Sequence, residues 1–424
     1  MHLNIPPALK HRRFAWLWFG LLISTAGSQM QLWALLWHIR SLTSLPIAVS
    51  GIGLARFLPV LVFSLVAGLV ADTFNRRTIM FITQGAMTLT AAGLAYLTWN
   101  GQIQIWHIYT LTALQTVAVA FDGPARQSLV PNLVPKEDLP SAFSMMSIAQ
   151  DVGAIVGPAL SGIVISSLGQ YDTYLFNALS FLAVIAALII MGSIRQEARP
   201  AVTQQQVGQN SYGKALLSIK EGVQFIVSRP IILSSMLLDF FATFFSSANT
   251  LLPFVARDIL KVSVIQYGWL SSAQSIGGVT AGVIISQRRR LRRQGTLLLG
   301  SVVVFGLATV FFGVSHLFGL TMLALILVGA SDSVSTIQRN TIRQIQTPDY
   351  IRGRMVSINQ IFFMGGPQLG EIEAGGAAQA FGIPFAIVSG GIGCIVAVAL
   401  IAARFPQLGR YNGDEPMLAG SPAD

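Results

Sequence analysis

Charge is scarce in this chain. Only 10% of its 424 residues are Asp, Glu, Lys or Arg, where an ordinary soluble domain carries about 25%, so there is too little polar surface to keep a body of this length in water. Cysteine is scarcer still: Cys394 stands alone, which excludes an intrachain disulfide and leaves the redox compartment unread. The five histidines, His2, His11, His38, His107 and His316, form no cluster. Paired Asp-rich metal motifs and phosphate-binding G-x-x-x-x-G-K-S/T loops are missing as well. These absences argue against a membrane-embedded transferase and against ATP-driven transport, and the chain is expected to carry no metal and no cofactor.

What fills the space is apolar. Hydrophobic residues make up 53% of the chain, in runs near the 20 or so residues that cross about 30 Å of hydrocarbon. Lipid cannot satisfy backbone hydrogen bonds, so each run must be a helix or a barrel strand. Continuous apolar runs lack the alternation of a barrel. The expected fold is an all-α integral membrane protein of twelve transmembrane helices, with spans at 14–38, 45–71, 78–99, 104–124, 140–167, 173–194, 230–255, 265–286, 295–315, 318–337, 355–380 and 384–403. No cleavable signal is evident, and the first span is read as a retained helix.

The net charge of +10 is explained by position rather than by nucleic acid. With the N-terminus in the cytoplasm, the outer connections hold only Arg40, Arg257 and Lys261, Arg56 falls inside a span, and the remaining Lys and Arg are all inner. That is the positive-inside pattern, and it puts both termini inside the cytoplasmic membrane. The longest hydrophilic stretch, 195–229, divides six spans from six. Within it, Leu216, Ile219, Val223 and Ile226 fall at helical spacing, as in a short amphipathic helix at the inner surface. The expected organisation is a six-helix bundle over 1–194, the linker over 195–229, a second bundle over 230–405 and a disordered cytoplasmic tail over 406–424.

Short patterns recur at a nearly constant offset of about half the chain. Asp122 and Asp332, Ser147-Ile148-x-Gln150 and Ser357-Ile358-x-Gln360, and Gly157-Pro158 and Gly366-Pro367 are such matches. All fall in the fourth and fifth spans of one half and the corresponding spans of the other, so the two halves are expected to be pseudo-symmetric repeats.

Between spans 2 and 3 stands Gly68-Leu-Val-Ala-Asp72-Thr-Phe-Asn75-Arg76-Arg77, which resembles the G-x-x-x-D-(R)-x-x-R-R loop of the major facilitator superfamily, with Thr73 where many members carry Arg. The resemblance implies an inner-side gating latch formed by Gly68, Asp72, Arg76 and Arg77. Its alternative is a charged turn obeying positive-inside. In span 5, Gly153, Gly157, Pro158 and Gly162 resemble the superfamily's antiporter motif, G-x-x-x-G-P-x-x-G-G, with Ser161 replacing one glycine. Small residues let helices approach closely and Pro makes a bend. The segment from Phe121 through Pro131 to Pro140, with Thr347-Pro348-Asp349 to Arg352-Gly353-Arg354, is similar to the branch of enterobactin exporters and macrolide efflux pumps. Span 4 lacks the arginine that many drug and proton antiporters carry beside a glutamine: the stretch around Gln115 has no basic residue.

A charged side chain at a helix centre costs about 2.5 to 3.5 kcal/mol on insertion scales and usually lines a cavity or finds a partner. Asp151, Asp239, Glu371, Glu373 and Arg56 are therefore the candidates for proton coupling or a substrate cavity, against the alternative of structural interhelical hydrogen bonds. Glu371 and Glu373 lie about 200° apart around a helix, so they face different ways. Asp122 with Arg126 and Asp332 with Arg339 are expected as charge pairs at inner span ends. The leading expectation is a secondary transporter that exports a small amphiphilic molecule by proton antiport, as a monomer, rocking two halves around a central cavity. Alternatives are an importer or lipid flippase of the same fold.

Overall fold

The computed structural model describes residues 6–192, 221–287 and 293–413; within these, some side chains, those of Asp72, Asp349, Arg352, Arg354, Ser357 and Gln360 among them, lie outside the description. Twelve long helices follow one another in the described residues: α1 (Arg12–Leu42), α2 (Pro46–Thr73), α3 (Arg76–Trp99), α4 (Ile105–Leu129), α5 (Leu139–Ser167), α6 (Gln170–Met191), α7 (Pro230–Ser246), α8 (Val264–Ser286), α9 (Gln294–Val314), α10 (Phe318–Gln346), α11 (Asp349–Phe381) and α12 (Ile383–Arg404). Eight of them are long and apolar enough to cross a membrane. The other four, α1, α4, α8 and α11, carry more polar side chains but run 31, 25, 23 and 33 residues, and at 1.5 Å per residue each exceeds about 30 Å.

Local chemistry sets the helix ends. Asn75 caps α3, its side-chain oxygen accepting from the backbone N–H groups of Arg77 and Thr78, two of the donors a helix start leaves unpaired. Pro46, Pro140, Pro230 and Pro384 lie in first turns, where a missing N–H costs nothing. Gly382, at φ 91°, joins α11 to α12, a left-handed backbone that favours glycine.

The chain forms two compact units, one of Met1–Glu197 with Thr250–Ser275, the other of Ala198–Asn249 with Ile276–Asp424. The expected boundary near 195–229 is thus only part of the division, because 250–275 joins the first unit. The amphipathic helix expected over 212–227 is helical at 221–228; its earlier part lies outside the described residues.

In the first unit, Phe14, Leu17, Trp18, Leu21, Met80, Leu129, Val184 and Leu188 form a buried apolar cluster. A neutral polar chain crosses the helices beside it. Asn177 Nδ2 donates to Gln31 Oε1 at 2.6 Å and Gln31 Nε2 donates to Gln115 Oε1 at 2.6 Å, so α6, α1 and α4 are tied by amides that satisfy one another where water is absent. In the second unit the core is Leu238, Leu298, Val302, Phe305, Cys394, Val398 and Ile401, with Leu408 and Tyr411. Large apolar side chains are turned outward on both units, including Leu89, Ile82, Ile189, Phe311 and Leu400, the faces a bilayer covers.

Two expectations are corrected. The seventh span does not run unbroken over 230–255: α7 stops at Ser246, and after a break the chain continues through Leu252–Phe254 into a π-helical turn, Val255–Ile259. Residues 406–413 are not a structureless tail. Pro406–Arg410 is a short helix, Gly295 N donates to Tyr411 O at 2.9 Å, and Leu408 and Tyr411 are buried. Apolar burial of these two side chains is what holds the segment, polar neighbours notwithstanding. Residues 414–424 lie outside the described residues.

Candidate functional site

The second unit holds a cluster of four charged side chains between α7 and α10. Asp239, well inside α7, is 1% exposed. α10 places Asp332, Ser335, Arg339 and Arg343 on one face, at spacings of three and four residues. Helical side chains point back toward the N-terminus of their helix, so two arginines near the C-terminal end of α10 reach toward the middle of the span rather than out of it. Arg339 Nη2 lies 3.0 Å from Asp239 Oδ1, and its guanidinium also donates to Ser335 Oγ at 2.7 Å and Thr336 Oγ1 at 2.8 Å. Arg343 Nη2 reaches Asp239 Oδ2 at 3.5 Å while its Nε donates to the Arg339 carbonyl at 3.1 Å. Asp332 stands 3.8 Å from the same Arg339 nitrogen, with its side chain 47% exposed. One carboxylate is therefore sealed between two guanidinium groups, and a second, accessible one competes for the shared arginine.

Sequence reasoning named Asp239 and the Asp332–Arg339 pair separately. The structure joins them: the nearer carboxylate to Arg339 is Asp239, and Asp332 is the looser partner. Arg343 was missed as a site residue and counted only among inner-side cations. Its spacing of four from Arg339, on a face with buried Ser331, Ser335 and Gln338, was the available signal.

The other predicted residues fall elsewhere. Asp122 is buried, and its Oδ1 accepts from Thr83 Oγ1 and Gln84 Nε2, both at 3.0 Å; Arg126 Nε approaches its other oxygen only to 3.7 Å. Asp151 on α5 is exposed and makes no ion pair with a described residue, and the same holds for half-buried Arg56 and Glu373. Glu371 is buried, 7% exposed. At the start of α3, Arg76 donates to Ser128 O and Asn132 Oδ1, both at 3.2 Å, and Arg77 donates twice to Leu188 O, at 3.0 and 2.8 Å. Both arginines thus brace helix ends inside the first unit. Gly68 has open space around it, and the Asp72 side chain lies outside the description.

The glycines of α5 are contact points. A methyl group on Gly157 would sit 2.6 Å from the Ala26 carbonyl oxygen, one on Gly153 2.6 Å from Thr25 Cγ2, and one on Gly162 2.6 Å from the Val264 carbonyl oxygen. Pro158 lies inside the helix among them. The segment 250–275 is fastened to α1, α2 and α5. Arg40 Nη2 donates to Asp258 Oδ1 and Oδ2 at 2.8 and 2.9 Å, and its guanidinium lies 4.7 Å from the Phe254 ring centroid. Tyr267 OH donates to Trp33 O at 3.0 Å, Ser272 Oγ to Ile155 O at 2.7 Å, and Ser50 and Thr250 share a hydrogen bond of 3.0 Å. From the sequence, Arg257 is placed in an outer connection and nothing is singled out at the neighbouring Asp258.

Long helices with apolar outer faces make a multi-pass membrane protein, and its family and structural neighbours are transporters of the major facilitator fold, not enzymes. The chain belongs to the family of transmembrane secretion effectors, whose sequence model matches residues 6–415. It is 25% identical to the multidrug efflux pump Tap of Mycolicibacterium fortuitum, over 86% of this chain and 89% of Tap. It is 24% identical to the enterobactin exporter EntS of Citrobacter koseri, over 84% of this chain and 83% of EntS. Among solved structures, a bacterial homolog of the human lysosomal transporter Spinster, inward-facing and occupied, matches with a TM-score of 0.72 at 14% identity, covering 99% of this chain and 100% of the other.

Proposed function

We propose that this protein exports a small amphiphilic molecule across the cytoplasmic membrane by proton antiport, as a monomer with both termini in the cytoplasm, through alternating access of its two units. The observation that carries the coupling is the Asp332–Arg339–Asp239–Arg343 cluster. A carboxylate at membrane depth is costly unless paired, and Asp239 lies within 3.0 and 3.5 Å of two guanidinium groups. Asp332 shares one of those guanidinium groups, at 3.8 Å, and is the less enclosed of the two carboxylates. Taking up a proton at Asp332 would leave Arg339 wholly to Asp239; losing it would draw Arg339 back between the two. A shared arginine of this kind gives the protonation state a lever on the packing of α10 against α7, and such a difference between states is what couples a proton to a conformational equilibrium. Export, rather than import, is favoured by the likeness to Tap and EntS.

The test is transport in proteoliposomes with an imposed pH gradient, over a panel of amphiphiles and siderophore-like molecules. Asp332→Asn should abolish gradient-driven flux while leaving gradient-independent exchange of substrate largely intact. Full driven flux in that variant at normal expression would remove the cluster from coupling, and Asp151, Glu371 and Glu373 would be examined next. If no carboxylate variant alters the pH dependence, proton antiport itself fails.

A further inference from the structure

One cavity belongs to the first unit. It is about 380 Å³, within the range of small-molecule sites, and it opens where the C-terminal end of α4 meets the N-terminal half of α5. Arg126 and Gln127 line it from α4, and Phe143, Met146, Ser147 and Gln150 from α5.

Among the described residues that line it, Arg126 is the only cation, and its guanidinium is under-used. It carries five N–H donors, yet its one charged neighbour, Asp122, is at 3.7 Å, beyond hydrogen-bond distance. Asp122 is meanwhile engaged by Thr83 and Gln84 through its other oxygen. Around Arg126 stand the amides of Gln127 and Gln150 and the hydroxyl of Ser147, all exposed. Ser147 Oγ donates to its own helix at Phe143 O, and an hydroxyl oxygen so placed still accepts. On the same wall, Phe143 is 44% exposed and Met146 is partly so, a flexible thioether and a ring that adapt to apolar bodies of varied shape.

We propose that this cavity binds an amphiphile through a single anionic group, held by Arg126 with the amides of Gln127 and Gln150, with the apolar body laid on Phe143 and Met146. Two details set the ligand class. A planar guanidinium with free donors matches a carboxylate, sulfonate or phosphate in two-point fashion. Asp151 lies four residues beyond Ser147 on the same face of α5 and has no ion pair with a described residue, so a second negative charge at that end would be repelled. The site thus prefers a monoanion, or a zwitterion whose cation points toward Asp151. Its meaning as a loading site rests on the export reading, because positive-inside places the α4–α5 connection at the cytoplasm. The same chemistry is offered by a transported molecule and by an anionic lipid headgroup.

Equilibrium binding on the full chain in phosphatidylcholine nanodiscs tests it, with anilinonaphthalene sulfonate as probe and the uncharged anilinonaphthalene as comparison. The sulfonate should bind saturably, and Arg126→Gln should weaken it about ten-fold, the loss expected for one charge-assisted hydrogen bond. Gln150→Glu, at an exposed position that leaves folding intact, should weaken it similarly by placing a like charge in the cavity. Arg410→Gln, an exposed cation far along the chain, should leave it unchanged. Titrating phosphatidylglycerol into the nanodiscs separates the sources: displacement of the probe only in chains retaining Arg126 assigns the site to lipid, and absence of displacement assigns it to cargo. Equal binding of the uncharged analogue, or unchanged affinity in both cavity variants, overturns the proposal. Binding as expected without gradient-driven flux would sink the export reading alone, and flux with binding indifferent to Arg126 would sink this one alone.

Discussion

Arg40 and Asp258, separated by 218 residues of chain, meet through one arginine nitrogen that contacts both carboxylate oxygens at 2.8 and 2.9 Å, while Nε adds a third contact at 3.3 Å. A fork of this kind fixes direction as well as distance. Its carboxylate sits on a π-helical turn, a rare geometry that tends to occur at functional positions. Arg40 also stacks on Phe254, so the pair locks side chain, ring and turn as one clasp at the ends of α1 and α2.

If the clasp holds this end shut, loosening it should expose what lies beneath. Ser50 is fully buried beside Thr250. In a Ser50→Cys background with Cys394→Ala, Arg40→Ala should raise labelling by a membrane-impermeant maleimide several-fold, and the reciprocal pair Arg40→Asp with Asp258→Arg should bring it part of the way back. Labelling that ignores Arg40 would mean the contact is incidental, worth no more than the 0.2 to 1 kcal/mol or so of an exposed ion pair.

The charge cluster of the second unit makes a different prediction. Removing one partner of a buried pair strands the other charge, at about 3–5 kcal/mol. Asp239→Asn alone should therefore cut folded yield sharply, measured as the monodisperse fraction in detergent. Adding Arg339→Gln should recover part of that yield by removing a stranded cation, yet driven transport should stay absent. Equal yields for the single and double variants would show that Asp239 does not neutralise Arg339.

Close helix contact at Gly157 predicts steric failure on enlargement. Gly157→Val would press into Gln29 and the Ala26 carbonyl, and overpacking of this sort costs about 1–3 kcal/mol. Gly85, which has open space around it, should accept the same change with little loss beyond the lower helix propensity of valine. The comparison is a thermal midpoint for each purified variant, and equal midpoints would contradict the packing.

Orientation is checked by labelling from the two sides. A cysteine at Gln170, at the start of α6, should react from outside the cell, and one at Asn75, at the start of α3, only after permeabilisation. The reverse pattern would overturn the cytoplasmic placement of the termini.

Most of the helical architecture was legible because lipid imposes length and apolarity on each span, and both are properties of contiguous sequence. The glycine contacts of α5 were legible for a related reason: Gly153, Gly157 and Gly162 mark one helix as able to come close, although not which partners it meets. What could not be read was tertiary pairing. Asp332 lies seven residues before Arg339 on one helix face, so sequence favoured it as the partner, whereas the nearer carboxylate comes from α7, far back in the chain. The break after Ser246 was hidden because hydropathy stays high through Leu251, Leu252 and Phe254; a window average records burial, not continuity of hydrogen bonding. Asp258 was passed over since nothing local reveals a guanidinium arriving from α1.

The short helix Pro406–Arg410 has a bearing on how the protein is made. Leu408 and Tyr411 complete the apolar core of the second unit, and the backbone there is stitched to the start of α9 through Gly295 and Thr296. These residues follow α12 directly in the chain, so α9, α10 and α12 have that corner unfilled until Leu408 and Tyr411 have emerged behind them. Insertion and completion of the second unit are therefore separate events in time, and a quality-control protease that samples the start of α9 meets a different surface before and after Tyr411 arrives.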